Sequence, residues 1–497
     1  MEINLWKLGL PVIILWTLTI TLLGLASLLL IIMIYNVALH PLRKYPGPKL
    51  WAATRIPYAL MVLRGDTHKT ILTLHQRYDA DVVRISPNEL SFQHPDAWKD
   101  IMGHCGGTRS EENEKDPDTY NKESINIISA SRYEHARLRR ILSHGFSARI
   151  MEDQQPLIQG YVDLFIERLR SLAGKGPIDI KAWYNYTTFD IIGDLAFGEP
   201  FGCLARSDYH PWVRITFESV KMLSLSNLAR SFWFLEPVLK MLIPRSLVEK
   251  GKLHNALVHE KVDRRIAFST PRPDFAEAML RKGAEPLTRE EICENCSVLI
   301  VAGSETTATA LSGITYLLTT NPDILVKLSK EVRSSFVSEE EINIQSTTNL
   351  KYLNAVIEEG LRIYPPAPLA QVRRTPPAGA QILGQWVPGN TTVGISQWAL
   401  YHRERFFSRP FEFHPERWLG DPAFNNDCPD VFHPFHVGPR NCIGKNLAYA
   451  EMRMILARVI WTFDLRLDDV SRDWLDQPTY IIWAKPSLMV HLTKRQS

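Results

Sequence analysis

Between Lys7 and His40 the chain carries no charged residue. This run of 32 residues, Leu8 to Leu39, is almost wholly apolar, and about 20 such residues cross the hydrocarbon core of a bilayer. A cleaved secretory leader has a shorter apolar core, ~7–15 residues, ahead of a small-residue cleavage site. The run therefore predicts an uncleaved membrane helix, which Gly24 could bend; two short passes would be tight. Arg43 and Lys44 follow it, whereas Lys7 is offset by Glu2, a bias that puts the bulk of the chain on the cytosolic side. Pro46-Gly47-Pro48 cannot continue a helix and predicts a stiff elbow. The organisation that follows is a membrane anchor (1–39), a Pro-rich lead-in (40–65) and one large domain (66–497).

That domain has an ordinary globular composition, 45% hydrophobic and 22% charged, with a net charge of only +3. A nucleic-acid partner is not expected, because it would need a concentrated basic face. The six cysteines (Cys105, Cys203, Cys293, Cys296, Cys428 and Cys442) are sparse and irregularly spaced, unlike a disulfide framework, which points to a reducing compartment. In such a compartment the sequons at Asn185, Asn295 and Asn390 stay unmodified. Cys293-x-x-Cys296 is a single pair at the start of a helical pattern and is weak evidence for zinc or redox chemistry.

Along the chain, Val82 to Phe92 reads as two short strands around Ser86-Pro87-Asn88. Residues 103–125 read as a long loop of the kind that often serves as a lid. Helical spacing runs through His135–Phe146, Met151–Ala173 and Thr187–Phe197. The stretch 212–245 is apolar and aromatic, with Phe217, Phe232, Trp233 and Phe234. Thr288-x-x-Glu291 is a capping box that opens a helix reaching about Thr320. Residues 381–397 are strand-like, and Tyr480–Leu492 resembles a hairpin. The sum is a mainly α fold with a small β subdomain.

Four short patterns carry candidate chemistry. Ala302-Gly303-Ser304-Glu305-Thr306-Thr307 puts a glycine, a carboxylate and hydroxyls inside the long helix. Gly303 costs about 1 kcal/mol there relative to Ala, and the hydroxyls compete for backbone hydrogen bonds. Close helix packing explains the glycine as well as a helix opened beside a reaction centre does; in the second case Glu305 and Thr306 would deliver protons. Glu359 and Arg362, at i,i+3, share a helix face just before Pro365-Pro366, and Arg417 of Pro415-Glu416-Arg417-Trp418 could join them, since guanidinium forks match carboxylates. The alternative is a surface salt bridge of little worth. Last comes Phe435-His-Val-Gly438-Pro-Arg440-Asn-Cys442-Ile-Gly444. A thiolate binds iron if backbone N–H groups support its charge. Gly438 and Gly444 permit turns or close approach, Phe435 would shield the sulfur, and Arg440 could neutralise a cofactor carboxylate. A buried inert thiol would not explain that company. Cys428, His433, His436 and Cys442 also have a zinc-like spacing and compete for the same cysteine.

These residues resemble the cytochrome P-450 family. Phe435-x-x-Gly438-x-Arg440-x-Cys442-x-Gly444 matches the family's haem-thiolate signature at each defined position. Glu359-x-x-Arg362, Pro415–Trp418 and Ala302–Thr306 match three further motifs in the right order, and the likeness spans about residues 40–497. EHARLRRILSHGFS and TTFDIIGDLAFGEPFGCL are similar to the filamentous-fungal, isotrichodermin hydroxylase-like group of secondary metabolism. The resemblance implies the cytochrome P-450 fold behind one transmembrane helix, on the endoplasmic reticulum membrane with the catalytic domain in the cytosol. It implies haem b with Cys442 as the axial ligand to iron, and Glu305 and Thr306 as a proton relay. It implies His135, where the family often has Trp, with Arg139, Arg440 and Arg373 as partners of the haem propionates; the doubled Arg373-Arg374 leaves that choice open. Arg137 and Arg140 are either a solvated basic face or a docking site for an acidic redox partner. Electrons would come from NADPH through NADPH-cytochrome P-450 reductase. The hydrophobic substrate would be lined by 103–125, 212–245, Val298–Ala302, Ala367–Leu369 and the turn near Tyr480. A reductase-independent isomerase or dehydratase of the same fold, and a non-catalytic haem-binding protein, are the alternatives.

Overall fold

The structure, a computed structural model, describes residues 5–104, 111–121, 123–230, 232, 245–268, 272–281 and 285–495. Cys105, Trp233, Phe234, the side chain of Phe217 and part of the 103–125 loop lie outside them. The helices run in order α1 (Leu5–Ala38), α2 (Lys49–Ala53), α3 (Ile56–Arg64), α4 (Thr67–Tyr78), α5 (Pro95–Met102), α6 (Arg132–Leu142), α7 (Ala148–Leu172), α8 (Ile180–Phe197) and α9 (Cys203–Arg206). Then follow α10 (Pro211–Arg230), α11 (Arg245–Ala267), α12 (Phe275–Leu280), α13 (Arg289–Thr320), α14 (Pro322–Ser335), α15 (Lys351–Ile363), α16 (Gln397–Tyr401) and α17 (Lys445–Thr462).

The strands are short: β1 (Val82–Ser86), β2 (Glu89–Phe92), β3 (Glu114–Lys115), β4 (Pro177–Asp179), β5 (Arg373–Arg374), β6 (Ala380–Ile382), β7 (Gln385–Val387), β8 (Thr392–Gly394), β9 (Phe463–Leu467) and β10 (Met489–Lys494). They form one five-stranded sheet in the order β1-β2-β8-β5-β3, a three-stranded sheet β4-β10-β9 and the hairpin β6-β7.

α1 is one uninterrupted helix through Gly24, so the apolar run makes one span-length element rather than two. From Val12 to Ala38 its mean hydropathy is 2.5, and its most apolar stretch is not buried against the domain. Its end is stitched to the domain. Arg84 on β1 donates to the carbonyls of Asn36 and Pro87, and its backbone N–H donates to Pro46 in the elbow. α13 is also long and apolar, but most of it is buried; it is the core helix. Its capping box forms as the sequence predicts, with Thr288 and Glu291 each satisfying the other's backbone N–H.

One sequence expectation changes and one open choice is settled. Tyr480–Leu488 is not a hairpin arm: it holds an isolated bridge to Thr479, and β10 pairs instead with β9 and β4. Pro478 and Pro486 bracket the segment, and neither has the N–H that a ladder needs. α13 is not opened at Gly303 either; it is α-helical throughout. The hydroxyls of Ser304, Thr306, Thr307 and Thr309 each bond the carbonyl four residues back, which leaves the backbone ladder closed. The glycine serves packing: a Cβ there would lie 2.7 Å from Ile192 Cδ1 on α8.

α15 carries a fully buried ion cluster. Arg362 grips Glu359 with two bonds, at 2.9 and 2.8 Å. Arg417 approaches the same carboxylate at 3.3 Å, Trp418 Nε1 donates to it at 2.9 Å and the His414 N–H at 3.1 Å. Burial alone would raise the Glu359 pKa, but Arg362 and Arg417 hold it below its usual value. Arg362 also donates to the carbonyls of Tyr401, Pro410 and Glu412, so one carboxylate and one guanidinium tie α15 to the whole segment leading to Cys442.

A second buried acid behaves oppositely. Glu451 on α17 is 3% exposed; burial pushes its pKa up to about 8, and the Thr307 hydroxyl opposes the rise.

Two variants check these assignments. Glu359→Gln leaves buried guanidiniums without their counter-charge and should cost about 3–5 kcal/mol, read as a lowered unfolding midpoint together with lost haem uptake. Glu451 ionises near 4.5 when unfolded but near 8 when folded. Between those values the folded state binds the extra proton, so stability falls as pH rises through the window. Glu451→Gln should remove that slope and gain up to about 4 kcal/mol on the wild type by pH 8; parallel midpoint-versus-pH curves would refute it.

Candidate functional site

The loop from Phe435 to Gly444 is held from both sides. The Cys442 N–H donates to the Phe435 carbonyl at 2.9 Å, and Asn441 N–H to Gly438 at 3.2 Å. Gly438 has φ +78°, and a Cβ there would sit 1.9 Å from the Met102 carbonyl at the end of α5. Only glycine can occupy it. Gly444 differs from the expectation: its φ is −86° at the N-cap of α17, and a Cβ would meet only Phe146, at 3.8 Å. The protein chain itself does not demand glycine there. The Phe435 ring packs on Tyr449, 5.0 Å between centroids.

Cys442 lies deep in the fold, yet its own surface is exposed. Burial raises its pKa, while the Gly444 N–H, Arg139 and Lys445 oppose the rise. On α13, residues four apart share a face. Ala302 is exposed and Thr306 half-buried in a helix whose other positions here are largely covered. Glu305 and Thr309 occupy a different face, where Lys485 pairs with Glu305 and donates to Thr309. The structure thus puts Thr306 on the open face of α13 and the Glu305 carboxylate against the C-terminal loop.

A second feature is a knot of cations, with the side chains of Arg373 and Arg440 buried and Lys115 half-buried. β3 pairs with β5 so that Lys115 lies directly opposite Arg373. Like charges in that position are destabilising unless something answers them. Arg373 is 2% exposed with Nη1 unpartnered, and Arg440 Nη2 is unpartnered too. Arg440 otherwise bonds Glu112 and the Ala130 carbonyl. Lys115 has no acidic partner among the described residues, and burial with Arg373 and Arg440 drives its pKa well below the usual value. Burial, then Arg440, Arg139, Lys115 and Arg373, push His135 down to about 3.

The doubled arginine resolves here: Arg374 is taken by Asp116 and Asp118, both at 2.6 Å, which leaves Arg373 facing the knot. Arg139 binds Asn441 through its carbonyl and side-chain oxygen and so braces the thiolate loop. Arg137 is engaged by Glu134 and Glu291, whereas Arg140 is exposed. The zinc-like set is not assembled: His433 and His436 both pack edge-on to Trp98, and no group of three or more metal-ligating side chains occurs among the described residues. Cys293 and Cys296 are buried in α13. Asn185 and Asn295 are buried and hydrogen-bonded.

Sequence reading missed Lys115 and Lys485. No local pattern marks either one; their meaning comes from a two-residue strand pairing and from a loop packed on a distant helix.

The cytochrome P450 family model matches residues 46–492. Trichothecene C-15 hydroxylase of Fusarium sporotrichioides is 45% identical over 95% of this chain and 97% of its own length. Cytochrome P450 monooxygenase astA of Talaromyces wortmannii is 45% identical over 96% and 98%, and averantin hydroxylase of Dothistroma septosporum 43% over 98% and 91%. These matches run through the thiolate loop, the buried lock and the core helix alike, and they converge: the chain belongs to the cytochrome P450 family.

Proposed function

We propose that this monooxygenase hydroxylates, or otherwise oxidises, a hydrophobic secondary metabolite of terpenoid or polyketide type in a fungal biosynthetic pathway. The observation that carries the proposal is Cys442, a thiol deep in the fold with its surface open, together with a group of cations in which Arg373 Nη1 and Arg440 Nη2 have no partner among the described residues. Haem b fits this donor set. Cys442 would hold the iron, and Arg373, Arg440, Lys115 and His135 would receive the two propionates. Metal binding requires the thiolate; the Gly444 N–H, Arg139 and Lys445 favour that charged form. When bound, the haem supplies the oxidising chemistry, using dioxygen and electrons derived from NADPH, and its thiolate ligand favours O–O cleavage.

The protein's own part is positioning and proton handling. Thr306, on the open face of α13, would pass a proton toward the reaction centre, with Glu305 as the acid behind it. Phe435, packed on Tyr449, would keep water from the sulfur. The relatives' names supply the metabolite class: one acts on a trichothecene and one on averantin. The exposed apolar helix α1 supports a single-pass anchor on the endoplasmic reticulum membrane, with the catalytic domain in the cytosol and a hydrophobic substrate arriving from the bilayer. NADPH-cytochrome P450 reductase would dock on the thiolate side, where Arg140 and Lys445 are exposed.

Expression with a reductase, followed by metabolite profiling against Cys442→Ala, tests the proposal. The variant should lose product and the red-shifted Soret band of the reduced CO adduct; if that band persists, Cys442 is not the ligand. Lys115→Met should lose haem about 10-fold or more faster than the wild type, since a buried charge-assisted bond is worth ~1.5–3 kcal/mol. An unchanged rate of haem transfer to an acceptor apoprotein would remove Lys115 from the cradle.

A further inference from the structure

His436 stands at a position that the Phe435–Gly444 signature leaves undefined, and no role described above uses it. Both of its ring nitrogens are buried without a hydrogen-bond partner among the described residues. Its backbone is left-handed, with φ +58°, in a turn closed by its own N–H on the His433 carbonyl at 2.9 Å. A side chain costs energy in that region that glycine would not, and such outliers persist only where the surroundings hold them. Two residues on, Gly438 is pinned against the Met102 carbonyl, so the loop is seated tightly on the end of α5. The His436 ring meets Trp98 at 90°, with 5.0 Å between centroids. Trp98 is 1% exposed, and its Nε1 already donates to the Val431 carbonyl at 3.1 Å. The indole therefore fixes the place of the imidazole and offers it neither a lone pair nor a free N–H.

The charged groups that act on His436 are Arg373 and Lys115, with His433 behind them, and no acid is among them. Burial first, then those cations, push its pKa down to about 3, so the ring is uncharged at neutral pH. A neutral imidazole carries one N–H and one lone pair, and here both are buried and idle. Buried donors are nearly always satisfied. The neighbours of this one are idle in the same way: among the described residues Arg373 Nη1 has no partner and Lys115 no acidic one. Arg440 differs, because Glu112 offsets its charge at 3.1 Å. The unanswered charge beside His436 is thus that of Arg373 and Lys115, which a pair of carboxylates would match and a protonated His436 would overshoot.

We propose that His436 is a fifth member of the haem cradle: a neutral imidazole whose N–H donates a hydrogen bond to the propionate that Arg373 and Lys115 receive. This rests on the haem reading of Cys442 and the cations. A neutral donor adds direction without adding charge. Guanidinium and ammonium groups draw the anion in, whereas the imidazole, set by Trp98 and the left-handed turn, selects where one oxygen rests. The loop that supplies the thiolate would then hold the cofactor at a second point, six residues before Cys442.

The test uses the full-length protein, produced in haem-deficient cells fed haem b or either of the two haems that lack one propionate. Wild type, His436→Phe and His436→Asn are compared by the rate of haem transfer to an acceptor apoprotein and by the propionate bending band in resonance Raman spectra. Phe keeps a ring against Trp98 and removes both nitrogens; Asn keeps an N–H and tolerates positive φ. With haem b, His436→Phe should lose haem about 10-fold or more faster than wild type, with a moved bending band, and His436→Asn should recover most of the difference. With one of the two monopropionate haems, wild type and His436→Phe should lose haem at the same rate. Equal rates for the two proteins with haem b would overturn the proposal. So would the same acceleration with all three haems and an unmoved bending band, since His436 would then only pack on Trp98. Should His436→Phe not retain the red-shifted CO band, His436→Gly, which removes the donor and relieves the left-handed backbone, is read by the same criteria. If the wild type itself lacks that band, the haem reading fails rather than the role of His436 within it.

Discussion

A single buried carboxylate organises the approach to the thiolate. Glu359 takes two bonds from Arg362, a second cation in Arg417, and N–H donors from Trp418 and His414. An ion cluster of this depth contributes little net stability over an apolar core, because desolvation consumes most of its Coulomb energy. What it contributes is register. Arg362 spends its remaining donors on three carbonyls between Tyr401 and Glu412, so an irregular stretch with few ladders of its own acquires one arrangement. Asp427, bonded to Arg417 and to the Ser408 N–H, carries that constraint on toward the loop that ends at Cys442.

Around that fixed loop the protein places charges it does not itself neutralise. Lys115 lies opposite Arg373, Arg373 Nη1 and Arg440 Nη2 have no partner among the described residues, and burial, reinforced by four neighbouring cations, keeps His135 neutral. By contrast, the Glu305–Lys485 pair on the adjoining face of α13 is internally balanced. One group of charges thus keeps buried donors without a protein partner, and the other is paired within the chain. The same core helix separates them by one step of its own rotation.

How much of this was legible in advance depended on the range of the cause. The capping box, the Ser86–Asn88 turn and the Glu359–Arg362 spacing are set by neighbours within four residues, and the structure has each. Gly303 was ambiguous because one residue type serves both a broken helix and a tight crossing; Ile192 decided for the crossing. The C-terminal hairpin failed because alternation suggests strands without naming partners, and β10 found its partners in β9 and β4. Gly444 was assigned a steric duty that the chain around it does not impose.

The amino-acid order alone determined the long apolar N-terminal helix, the mainly α class and the family, because each is written in residue type and short spacing. Only the tertiary structure decided which of Arg373 and Arg374 faces the cation knot, that Lys115 joins it, and that Glu305 answers to Lys485. Those are pairings between segments far apart in sequence, and a charge acquires its partner, its burial and its chemistry only when packing brings the two together.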